Sequence, residues 1–236
     1  MKNFFAILGG MGTLATESFV HLLNERTPAN CDQDYLNYLV VNHATVPDRT
    51  AYIKNNQLAN PKDDLIEDIT SITPLNPEFF VVTCNTAHFF FDELQAATHL
   101  PVLHMPRIAI NTLAEKFPVE QHPRILFLGT EGSIIAEVYK REIEGKGYEY
   151  IQPDSDYQDE VNRLIYDDIK EKGYLNFDRY LGILRNLKAE TNYSVAILGC
   201  TELSYIEANY PGNHGFKVID AQSELVNHVI DKMKGE

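Results

Sequence analysis

Short, nearly continuous apolar runs alternate along the chain with stretches whose apolar positions recur every three to four residues. The runs are Phe4–Leu8, Tyr38–Val41, Phe79–Val82, Val102–Leu103, Ile125–Leu128, Val195–Leu198 and Val218–Ile219. Runs this short and uniformly apolar predict strands buried on both faces, the habit of a parallel sheet. Between them, Ala15, Phe19, Leu22 and Leu23 share one helical face. So do Ala87, Phe90, Phe91 and Leu94, and later Val161, Leu164, Ile165 and Ile169. Strand and helix in repetition predict right-handed βαβ units and an α/β fold.

The chain also repeats itself. Ala6-Ile7-Leu8-Gly9-Gly10-Met11-Gly12-Thr13 lies over Leu126-Phe127-Leu128-Gly129-Thr130-Glu131-Gly132-Ser133, and Val81-Val82-Thr83-Cys84-Asn85-Thr86 lies over Ile197-Leu198-Gly199-Cys200-Thr201-Glu202. Two landmarks in the same order, at nearly the same spacing, predict two similar lobes. Each is expected to be a parallel sheet flanked by helices, the two related by a pseudo-two-fold with the active site between them. The expected bounds are 1–104 plus 207–236 for the N-terminal lobe and 105–206 for the C-terminal one. The last strand and helix, from about Phe216, would then fold back onto the first lobe.

Charge narrows the partners. The 236 residues carry 20 basic and 34 acidic side chains, a formal −14. Such a surface repels phosphates, which argues against nucleic acid and anionic membranes as partners. No apolar run approaches the roughly 20 residues of a membrane span. The apolar stretch at the N-terminus is too short, and too soon broken by glycine, for a secretion signal. Three cysteines, an odd number without paired spacing, do not make a disulfide framework. A cytoplasmic globular protein is expected.

Cys84 and Cys200 fall just past predicted strands, where the carboxyl ends of a parallel sheet form ligand crevices. The start of a following helix favours thiolate there, through its dipole and its free N–H groups, and lowers the pKa from about 8.5 toward roughly 7 or below. One such cysteine is usually plain core. Two at equivalent places in a repeat suit a reaction that takes a proton from one face of a carbon and returns one to the other. Cys31, in a polar stretch without a counterpart, is incidental.

Arg49, in Pro47-Asp48-Arg49-Thr50 after the second strand, presents a fork suited to a carboxylate. The plainer reading is a surface arginine paired to a nearby Asp. Lys170, one turn after Tyr166 on a predicted helix over 159–171, is a weaker candidate cation. Gly10-Met11-Gly12-Thr13-Leu14-Ala15 fits a dinucleotide fingerprint, but the second strand ends at Val41-Asn42-His43 without the acidic residue that would hold a ribose. His43, His88 and His104 read as structural histidines.

Taken together, Gly9-Gly10-Met11-Gly12, Pro47-Asp48-Arg49-Thr50, Cys84-Asn85-Thr86-Ala87-His88, Ile165-Tyr166 with Lys170, and Gly199-Cys200-Thr201-Glu202-Leu203 resemble the aspartate/glutamate racemase family, most nearly its aspartate racemases. The resemblance implies racemisation of a small acidic amino acid without pyridoxal phosphate or any other cofactor, in a homodimer. It implies Cys84 and Cys200 as the acid/base pair, working on the D and L enantiomers respectively. It implies Arg49 and Lys170 on the side-chain carboxylate, with Met11, Asn85, Thr86 and Thr201 at the α-carboxylate. Thr13 stands where the family usually has proline, and threonine can cap the helix instead. Other readings are a glutamate or broad-specificity racemase, and a hydantoin racemase, decarboxylase or cis–trans isomerase of the same fold. A non-catalytic amino-acid-binding protein and a pyridoxal-phosphate enzyme built around Lys170 are the remaining ones.

Overall fold

A computed structural model describes residues 1–210 and 212–235. The chain divides into two compact units, residues 1–105 with 222–236, and residues 106–221. The first unit holds β1 (Phe4–Gly9), α1 (Thr13–Arg26), β2 (Asn37–Asn42), α2 (Arg49–Lys54), α3 (Pro61–Ile72), β3 (Phe80–Val82), α4 (Phe91–Ala96) and β4 (Val102–Leu103). Its sheet is parallel, in the order β2-β1-β3-β4. Ala6, Leu8, Phe80 and Val82 are buried on this sheet together with Leu65 and Ile69 of α3.

The second unit opens with α5 (Met105–Lys116) and continues through β5 (Arg124–Gly129), α6 (Glu131–Ile135), α7 (Lys140–Gly145), β6 (Glu149–Ile151) and α8 (Ser155–Asn162). A π-helical segment, Arg163–Glu171, follows without a break. Then come α9 (Phe177–Thr191), β7 (Val195–Gly199), α10 (Thr201–Ala208) and β8 (Val218–Asp220). This sheet is also parallel, in the order β6-β5-β7-β8. Helix α11 (Ala221–Lys234) returns to the first unit. There Arg26 donates to Ser223 and Asn227, and Gln222 to Ser18.

The repeat holds at the level of strand register. Ala6 pairs with Phe80, and Leu126, 120 residues after Ala6, pairs with Ala196, 116 residues after Phe80. Phe80 pairs with Val102 and Ala196 with Val218, again 116 residues apart on each side. Equivalent side chains therefore face equivalent directions in the two sheets.

Three expectations change. Residues 207–221, expected with the first lobe, group with the second unit, because Val218–Asp220 is hydrogen-bonded to β7. Strand β6 has no apolar run to announce it. It is a sheet edge, held to β5 partly by the exposed Arg124–Glu149 ion pair at 3.0 Å. The segment predicted as one helix over 159–171 is α-helical only to Asn162 and π-helical beyond. Val161, Leu164, Ile165 and Ile169 still line its buried side.

Candidate active site

In the first unit the carboxyl end of β1 runs into Gly9-Gly10-Met11-Gly12. Gly10 has φ +89°, and a side chain there would place its Cβ 2.4 Å from the backbone carbon of His43. The glycine is thus required by the close passage of the chain's own backbone at His43, just past β2. Thr16 pins the turn: its Oγ1 accepts from Gly10 N–H at 3.0 Å and donates to the Gly12 carbonyl at 2.9 Å. Thr13 does not cap α1, whose N-cap is Gly12 with no side-chain bond.

Arg49 opens α2 and is 8% exposed. Asp48 is not its ion-pair partner; that carboxylate caps α2 by accepting from Ala51 N–H at 2.7 Å. Three backbone carbonyls hold the guanidinium instead. Nη1 donates to Val46 at 3.2 Å and Pro47 at 3.0 Å, and Nη2 to Met11 at 2.7 Å. Nε is buried with no acceptor. A buried cation without an anionic partner among the described residues is costly unless something else supplies the anion.

Cys84 is buried two residues past β3 and leads into a 3-10 turn over Thr86–Phe90, with Asn85 and Thr86 buried beside it. His88 braces this turn. Its Nδ1 lies 2.9 Å from the Cys84 carbonyl, and its Nε2 accepts from Met105 N–H at 3.1 Å. A carbonyl can only accept, so the proton is on Nδ1 and the ring is neutral. Burial pushes its pKa down to about 4, helped by His104, whose ring lies 5.3 Å away. This histidine is structural.

In the second unit Cys200 is the N-cap of α10. Its Sγ donates to Glu202 Oε2 at 3.0 Å, and Thr201 Oγ1 donates to the same oxygen at 3.3 Å. Lys170 Nζ lies 3.6 Å from the other oxygen, Oε1, and 5.0 Å from the centre of the Tyr166 ring. The π-helical segment carries both Tyr166 and Lys170 to this edge, and such segments are frequent at functional sites. The thiolate expected from the helix dipole is not what this environment favours. Burial, and then the Glu202 carboxylate, push the Cys200 thiol well above its ordinary range, while Lys170 pulls in the opposite direction.

The structure therefore groups the predicted residues by unit. Met11 and Arg49 are bonded to each other, and Cys84, Asn85 and Thr86 are contiguous in the same unit. Cys200, Thr201 and Lys170 meet on Glu202 in the other. Met11 contributes its carbonyl, and Lys170 is engaged by a carboxylate of the protein. Glu202 and Thr16 were missed as site residues. For Glu202 a signal existed, a carboxylate two residues after a cysteine at a helix start, whereas nothing local marked Thr16. Among the described residues no three His, Cys, Asp or Glu side chains gather to hold a metal ion. No described helix is long and apolar enough to cross a membrane.

The fold has solved counterparts. An aspartate racemase from Picrophilus torridus superposes with a TM-score of 0.83 at 23% identity, covering 98% of this chain and 94% of that one. A glutamate racemase from Campylobacter jejuni subsp. jejuni gives 0.63 at 19%, covering 97% and 85%. Two parallel four-stranded units of this topology thus define a two-lobed racemase fold. The broad-specificity amino-acid racemase RacX of Bacillus subtilis is 26% identical over 206 residues, 85% of this chain and 86% of that protein. The chain belongs to the Asp/Glu/Hydantoin racemase family, whose model matches residues 8–229, and is by that membership an amino-acid racemase.

Proposed function

We propose that the protein interconverts L- and D-aspartate without a cofactor, by proton transfer between its own thiols and the α-carbon. The observation that carries the acidic substrate is the buried Arg49 guanidinium, held by carbonyls and paired with no carboxylate among the described residues. Its Nε–H and the second Nη2–H are the donors left for a ligand, and together they form the side of a guanidinium that grips a carboxylate through two bonds. The likeness to an aspartate racemase fold supports the same reading. A broad-specificity relative is the rival, and a neutral substrate would leave this cation without an anion.

Racemisation needs a base for one face of the α-carbon and an acid for the other, and each unit supplies one thiol at a register-equivalent position. In the direction that starts from the D enantiomer, Cys84 acts as thiolate and removes the α-proton. Cys200, held as a thiol by burial and by Glu202, gives its proton to the opposite face. In reverse, Cys200 is the thiolate that removes the α-proton and Cys84 the thiol that returns one to the opposite face, with Lys170 offsetting the negative charge on Cys200 beside Glu202. Backbone N–H groups at the start of α10 and in the Asn85–Thr86 turn offer donors to the α-carboxylate as charge builds on it. A homodimer is the expected assembly.

Proton NMR of L-aspartate in deuterated water, with purified protein and no added cofactor, tests this reading. The α-proton signal should disappear as D-aspartate accumulates, and neither change should occur with Cys84→Ala or Cys200→Ala. An unchanged spectrum with aspartate, beside exchange of a neutral amino acid, would transfer the protein to the broad-specificity reading.

A further inference from the structure

We propose that Gln158 is the anchor for the substrate's α-ammonium group, an assignment that rests on the amino-acid substrate argued above. Gln158 lies in the first turn of α8, the helix after the second strand of its unit, much as Arg49 opens the helix after β2. Its side chain reaches the carboxyl end of β5. There Nε2 donates to the Gly129 carbonyl at 3.0 Å and to Asn162 Oδ1 at 3.0 Å. Gly129 is paired in register with Gly199, the residue before Cys200, so Gln158 is bonded to the strand beside the one that leads into the thiol.

The other end of this carboxamide has nothing to accept from. Gln158 is 8% exposed, and its Oε1 is buried without a donor. The amide cannot be turned to relieve this, because the Gly129 carbonyl only accepts and must face nitrogen. A buried acceptor left unmade is costly, so the site calls for a ligand that brings an N–H or O–H. At neutral pH an acidic amino acid has two carboxylates, which only accept, and a single donor group, its ammonium. The two carboxylates near Cys200 are both engaged: Glu202 receives Cys200, Thr201 and Lys170, and Asp220 receives the Ser204 hydroxyl. Gln158 Oε1 is the acceptor left over.

Selectivity follows. A dicarboxylate of the same shape without the amino group would leave Oε1 buried and unpaired, the kind of mismatch by which hydrogen-bonding sites reject analogues. Calorimetric titration with racemic aspartate, whose composition turnover does not change, and with succinate reads this directly. The unsubstituted protein should prefer aspartate. Gln158→Leu should narrow that preference about 10-fold or more, the usual range for a hydrogen bond to a charged group. Gln158→Glu, which keeps an acceptor but loses the donor to Gly129, should retain it. Equal weakening of both ligands by Gln158→Leu would mean that the side chain only braces Gly129 and a buried water, and overturns the assignment. Equal affinity of the unsubstituted protein for aspartate and succinate overturns it with no variant. Binding of neither ligand refutes the acidic-substrate reading itself, and this assignment with it.

Discussion

Replacing Arg49 by methionine separates what its guanidinium does for the fold from what it does for a substrate. Of five N–H donors, one each goes to Val46, Pro47 and Met11, and two, on Nε and Nη2, are left for a carboxylate. Hydrogen bonds involving a charged partner contribute about 1.5–3 kcal/mol each, so two lost bonds amount to at least about 3 kcal/mol, or roughly 150-fold in kcat/KM. The three carbonyls lose their donor whatever substrate is present, and that cost cancels in a ratio. The informative quantity is therefore kcat/KM for L-aspartate divided by that for L-2-aminobutyrate, which matches aspartate up to the missing side-chain carboxylate. Exchange of the α-proton in deuterated water measures both. In Arg49→Met the ratio should fall about 100-fold or more, with near-native circular dichroism. A folded variant whose ratio is unchanged would refute the idea that this buried cation awaits a substrate carboxylate.

Glu202→Gln should lower the pH at which Cys200 ionises, since the carboxylate is among the causes that hold the thiol up. The rate of iodoacetamide labelling of the Cys200 peptide should rise at lower pH than in the unsubstituted protein, and an unmoved or raised profile contradicts the assignment. His88 predicts an acid-sensitive fold. The unfolded imidazole takes up a proton below about pH 6.5, while the folded one does so only near 4, so acidification favours the unfolded chain. Stability from this residue is complete above pH 6.5 and falls by about 2 kcal/mol at pH 5. Unfolding free energies from urea titrations at pH 7 and pH 5 should differ by this amount more in the unsubstituted protein than in His88→Asn, and equal pH dependence of the two would count against it.

The alternation of apolar runs and helical faces was enough to read the architecture, because buried parallel strands leave a signal in every residue they contain. Strand β6 left none, since only Ile151 of its three residues is buried. The two cysteines were legible as a pair through the repeat, and the register confirms that Gly9 and Gly129, each closing the strand beside its cysteine's strand, are equivalent. Their electrostatics were not legible. Helix position alone suggested thiolate, but at Cys200 burial, and then the carboxylate two residues on, push the other way. Arg49 was found by type and place, though its freedom from Asp48 depended on which backbone N–H that carboxylate would cap. Gln158 carried no signal at all, because its interest lies in a carboxamide whose one end is satisfied and whose other is not, which only coordinates can disclose.

The two crossings between units occur at the same point of the repeat, after the fourth strand of each half: Met105 and Ala221 are 116 residues apart, the same interval that separates the paired strands. Each half of the chain therefore lends its last helix to the other, α5 to the second unit and α11 to the first. Neither half carries a complete set of its own parts. On the ribosome, the second unit has all of its residues first, while the first unit waits for Leu225, Val226 and Val229, fully buried in α11, to emerge. A chain interrupted ahead of these residues would hold a completed second half and an unfinished first one, ready for a chaperone or a protease.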